Sequence, residues 1–179
     1  MKIPVRLVVI ALIAASLLSV FALQTSYANT LSDDQKSRIQ ANCLSIKGSL
    51  NQLHASDALL RVNRGQIYES MGTKLMNSFN SRLNNNGLDN KGLVSVTNAY
   101  QAALTTFRAD YQLYEQQLST TINIDCSKEP AAFHSALEDA RTKRLKVHDD
   151  VLRLNKYIDD YRSAVNDFML NFQRVTGSN

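Results

Sequence analysis

Apart from Pro4, close to the N-terminus, this chain of 179 residues carries a single proline, Pro130. Proline is the residue that most firmly stops a helix, because its ring removes a backbone donor and clashes with the preceding turn. Nothing of that kind interrupts residues 5–129 or 131–179, so long helices are permitted on both sides of Pro130.

The apolar residues repeat accordingly. From Phe133, steps of four and three lead through Leu137, Ala140, Arg144, Val147, Val151, Leu154, Ile158, Tyr161, Val165, Phe168, Phe172 and Val175. All but Arg144 are apolar or Tyr. This predicts an amphipathic helix about 64 Å long at about 1.5 Å per residue, in need of partners along its length. An earlier helix is expected from Ser32, where Ser32-Asp33-Asp34-Gln35 fits a capping box. Its stripe runs through Ile39, Cys43, Ile46, Leu50, Leu53, Asp57, Leu60, Arg64, Ile67 and Met71, a heptad edge with two polar members. Beyond Met71 it steps to Leu75, Phe79 and Leu83, a local break in the heptad.

Residues 84–92, dense in Asn and Gly, predict the first turn. A second helix follows, with Leu93, Val96, Tyr100, Leu104, Phe107, Tyr111, Tyr114 and Leu118 on one face, fading at the β-branched Thr120-Thr121-Ile122. Residues 123–126 then read as an extended link, and Ser127 as the N-cap of the last helix, with Pro130 in its first turn.

Residues 1–28 read as a signal peptide, with Lys2 and Arg6 before the apolar run Leu7 to Leu23 and a small-x-small site ending at Ala28. A run of about 17 residues also lies at the lower edge of a membrane span, so an uncleaved N-terminal anchor is the alternative, and the only membrane contact expected. Residues 29–179 are of ordinary length for one helical domain. Without Lys2 and Arg6, 18 basic residues face 16 acidic ones. That near-neutrality points away from a nucleic-acid partner.

In an exported chain the two cysteines, Cys43 and Cys126, predict one disulfide closing a long loop. In the chain-entropy treatment this contributes about 4.5 kcal/mol. Geometry agrees when the turn near Leu88 is taken as a mirror. Descending at about 1.5 Å per residue, Thr121 returns to the level of Ala55. Five extended residues at about 3.3 Å each then carry Cys126 to the level of Leu44, beside Cys43. The expected architecture is all-α: an elongated antiparallel three-helix bundle, coiled-coil-like and up-down-up, with the disulfide near its base.

The same mapping sets Arg144 at the height of Asp57, and Glu115 at that of Arg61, with Arg64 and His148 close by. An interior polar layer is therefore expected, with Asp57 paired to Arg144 and a structural role in fixing register, a ligand or catalytic site being the alternative. Gly65 and Gly72, seven apart, fall on one face of the first helix, where each costs about 1 kcal/mol relative to Ala. Close approach of a neighbouring helix explains them, and a shallow partner groove is the functional alternative. Off-stripe Leu59, Val62, Met76, Leu152, Met169 and Leu170 would widen such a surface.

Catalytic marks are missing: there is no G-x-S-x-G, P-loop, dinucleotide fingerprint, H-E-x-x-H or C-x-x-C-H. None of His54, His134 and His148 has Glu three residues before it, as bundle metal sites require. No enzyme activity, cofactor or metal is expected. Leu31-Ser32-Asp33-Asp34-Gln35 resembles the L-T-x-x-Q motif of the Spy family of periplasmic helical chaperones, with Ser in place of Thr and no second copy. The resemblance covers five residues and implies a holdase for unfolded exported proteins. The residues themselves favour a non-catalytic extracytoplasmic module that binds a protein or cell-envelope partner through its helix faces. A second copy completing the core is a further expectation to test.

Overall fold

The computed structural model describes residues 31–177; the expected leader, residues 1–28, lies outside them. The described chain is all-helical. In order come α1 (Asp33–Ala41), α2 (Cys43–Ser70), a π-helical stretch (Met71–Asn77), α3 (Ser78–Asn85), α4 (Lys91–Asn123) and α5 (Pro130–Thr176). Three unbroken rods are therefore not what forms, because the arm from Asp33 to Asn85 is divided at Asn42 and again at Met71. Among the described residues no helix is long and apolar enough to cross a membrane.

The turn after α3 closes as the Asn-Gly chemistry dictates. Gly87 takes φ +66, while Leu88 N–H donates to the Leu83 carbonyl and Gly87 N–H to that of Asn84, satisfying carbonyls the helix end leaves free. α4 does not fade at Thr120: each of Thr120 and Thr121 donates its hydroxyl back to the carbonyl four residues earlier, and the helix runs to Asn123. Ser127 is not the cap of α5; Glu129 holds that position, and Pro130 is the first helical residue. Asp125 instead organises the link, its carboxylate accepting the Ser127 N–H.

α4 and α5 are stitched by bonds that step down one helix while climbing the other. Thr121 and Gln117 donate to the Ala136 carbonyl, and Lys146 donates to Asp110. The arm 33–85 joins them through Cys43–Cys126, Asp57–Arg144, Tyr100–Tyr68 and Tyr161–Asn80. Two apolar clusters result. One, near the disulfide, holds Leu50, Tyr111, Tyr114, Leu118 and Phe133; the other holds Tyr68, Met76, Leu83, Tyr100, Phe107, Leu154 and Tyr161.

The heptad edge of the first arm leaves the core after Asp57, apart from half-buried Met71, and is back against it at Phe79 and Leu83. Leu60, Ile67 and Leu75 are 52%, 52% and 54% exposed, and Arg64 is exposed too. The residues next to Ile67 and Leu75 are inside instead, Tyr68 at 4% and Met76 at 1%, with Gly72 buried between them. From Tyr68 the buried positions step by fours through Gly72 and Met76 to Asn80. In α geometry each such step overshoots by about 40°. The wider π turn absorbs the overshoot, and it begins at Met71, where the sequence pattern breaks. Met76 thus belongs to the core rather than to an outer surface. At the other end of α5, Phe172 and Val175 stay exposed, lining a cleft with the turn residues Leu88 to Asn90 and the start of α4.

Candidate functional site

Residues of α2, α4 and α5 from both clusters line a groove of about 470 Å³. α2 supplies Asp57, Leu60, Arg61, Arg64 and Tyr68; α4 supplies Phe107, Tyr111 and Tyr114; α5 supplies Arg144, Val147, His148, Val151 and Asn155. Asp57 is buried and fully engaged. Its Oδ2 accepts from Tyr114 Oη at 2.7 Å and from Arg144 Nε at 2.9 Å, and its Oδ1 accepts from Arg144 Nη2 at 3.3 Å. Burial pushes this carboxyl up, but the Arg144 and Tyr114 hydrogen bonds and the Arg144 charge outweigh it and hold the pKa below the ordinary value. Tyr114 is moved the other way, by burial and by its bond to the carboxylate.

The Asp57–Arg144 pairing is where the sequence placed it. Arg61 and Glu115 are not paired: the Arg61 guanidinium lies over the Tyr111 ring, 5.2 Å from its centroid. Glu115 is half-buried, and burial first, then the nearby charges of Glu115 and Asp57, raises the Tyr111 pKa to about 12 against the opposing effect of Arg61. Arg64 is exposed at the groove edge. The groove lining includes no Ser, Thr or Cys beside His148.

The two glycines do not share one surface. A Cβ on Gly72 would collide with the end of the Gln101 side chain and stand 3.2 Å from the Tyr100 ring, so this glycine admits α4, whereas Gly65 has open space. Close packing explains Gly72. Nothing in the structure explains Gly65.

A second carboxylate cluster went unread in the sequence. Asp110 on α4 and Asp150 on α5 are buried beside each other. Lys146 Nζ reaches Asp110 Oδ1 at 2.9 Å, and Arg153 Nη1 approaches Asp150 Oδ1 at 3.4 Å. One buried oxygen of each carboxyl has no partner among the described residues. Burial and the neighbouring Asp110 carboxyl raise the Asp150 pKa, against the attraction of Arg153 and Lys146. The available signal was position: Asp110 lies one residue before Tyr111, and Asp150 four before Leu154, on the flanks of the two stripes. A helix packed on two neighbours buries two adjacent edges, and a stripe one residue wide overlooks the second.

Higher up, Tyr161 Oη donates to Asn80 Oδ1 at 2.8 Å, and Asn80 Nδ2 donates to Thr97 Oγ1 at 2.8 Å. This chain of bonds ties α3, α4 and α5 together. Below, the Cys43–Cys126 disulfide, with Cα atoms 5.5 Å apart, suggests an oxidising, extracytoplasmic location. Comparison of the chain with protein families, with curated proteins and with solved structures finds no match.

Proposed function

We propose that this protein is a non-catalytic, exported helical module that holds a protein or cell-envelope partner against the outer edge of α2. The supporting observation is Ile67 on α2 and Leu75 on the π-helical stretch that continues it, two large apolar residues about two turns apart, each more than half exposed. The sequence patterns them as core, yet Tyr68 and Met76 take the interior. A partner covering them would gain about 1.5–3 kcal/mol for each side chain it fully buries. In this reading the arm 33–85 is the first rod of an up-down-up three-helix bundle, with its break and π stretch as local irregularities, and residues 1–28 are the leader that exports it.

The test is capture from the native envelope with the full chain and with Ile67→Lys/Leu75→Lys. One dominant partner, lost in the variant, supports the reading; capture unchanged by the variant refutes it. A second reading, a Spy-like holdase, is favoured by apolar residues exposed elsewhere as well, at Leu152, Met169, Leu170 and Phe172. Such a protein suppresses aggregation of an unfolded client at stoichiometric amounts and captures many proteins rather than one.

A further inference from the structure

We propose that the groove between α2, α4 and α5 binds one amphiphilic organic anion, a carboxylate- or phosphate-type head on an apolar body, whether or not a protein docks on the edge of α2. Arg61 and Arg64 from α2 and Arg144 and His148 from α5 share this groove with a single carboxylate, Asp57. That carboxylate is committed, with both oxygens taken by Arg144 and one also by Tyr114. Arg144 is neutralised by the same bonds. Arg61 meets only the face of Tyr111, and no described carboxylate pairs with Arg61 or Arg64.

Two guanidiniums one turn apart on one helix face repel each other. An anion placed between them relieves that repulsion, while the aromatic walls of the groove offer the apolar body a surface out of water. Guanidinium geometry suits the two oxygens of a carboxylate or phosphate. The apolar body is matched by half-exposed Leu60 and half-buried Val151. About 470 Å³ is the size of a small-molecule site.

Decanoate below its micelle concentration, with decyltrimethylammonium as the cation of equal tail, tests this by titration calorimetry on the chain lacking residues 1–28 and on the full chain. Decanoate is expected to bind once per chain and the cation not at all. Arg61→Gln/Arg64→Gln, at two exposed positions, should lose at least tenfold in affinity with an unchanged circular dichroism spectrum. Val151→Trp, which fills the cleft and removes no charge, should block binding separately. Equal binding of both probes, or wild-type affinity in both variants, overturns the proposal. Flotation with phosphatidylglycerol but not phosphatidylcholine vesicles, lost in the double variant, would assign the anion to a lipid. Decanoate binding without flotation would assign it to a free acid, and flotation without decanoate binding overturns the groove as the site.

Discussion

Asp57 and Arg144, 87 residues apart in sequence, meet through two hydrogen bonds at the level where the apolar clusters part. The Asp57 side chain is 10% exposed and that of Arg144 is 52% exposed, so the carboxylate is desolvated while its partner keeps much of its water. Removing the arginine strands a buried charge that retains only Tyr114. Arg144→Leu is therefore expected to cost about 2 kcal/mol in urea unfolding, less than a fully buried pair because solvent screens the exposed partner. Asp57→Leu combined with Arg144→Leu should lose less than the sum of the singles, and strictly additive losses would mean the two do not interact.

Acid should weaken this contact. The folded-state pKa of Asp57 lies below its ordinary value, so its contribution is present above the unfolded pKa and disappears as pH falls through the folded one. In Asp57→Asn the part of the acid-induced loss of stability due to this group should vanish, as read from urea midpoints between about pH 5 and pH 2.

Asp150 has the opposite sign. With a folded pKa above the ordinary value, its contribution is complete below the unfolded pKa and is lost as pH rises through the folded one. Asp150→Asn removes the ionisation beside Asp110, Lys146 and Arg153, so it should become more favourable relative to wild type on going from pH 4 to pH 7. A difference that stays constant with pH would show that Asp150 does not keep its proton.

Gly65 and Gly72 should respond differently to the same change. Gly65→Ala meets open space and should gain about 0.5–1 kcal/mol from helix propensity. Gly72→Ala must displace the end of the Gln101 side chain and press on Tyr100, which should cancel that gain or reverse it. Thermal unfolding of the two variants side by side reads the contrast.

Cys43→Ser/Cys126→Ser should lower stability by about 2–4 kcal/mol, because the bridge closes a loop of sequence separation 83 and joins α2 to the link before α5. Peptide mapping without reductant checks the bridge itself.

Much of this was readable from spacing alone. The apolar face of α4 and the middle of α5 lie where their periodicity put them, and the height argument that joined Cys43 to Cys126 also set Arg144 beside Asp57. The outer edge of α2 was not readable, because Ile67 and Tyr68 are both plausible core residues. What decides between them is tertiary: Tyr68 packs edge-on against Phe107, 5.8 Å between centroids, and its carbonyl accepts the Tyr100 hydroxyl. Gly72, read as a candidate groove, is the space that lets Tyr100 do so. Asp110 and Asp150 were hidden for another reason, since their burial depends on which second neighbour each helix has. Ser127 lost its capping role to geometry set by Asp125 and Pro130, which spacing does not encode.

The turn of α2 that puts Ile67 outside and Tyr68 inside supports both the partner-binding edge and the packing beneath it. A photo-cross-linking residue placed at each position in turn, in cells, reads it directly. Position 67 should give one discrete adduct with another protein, and position 68 a cross-link within the chain to α4. The reverse pattern, with 68 reaching outward and 67 captured by α4, would contradict the account.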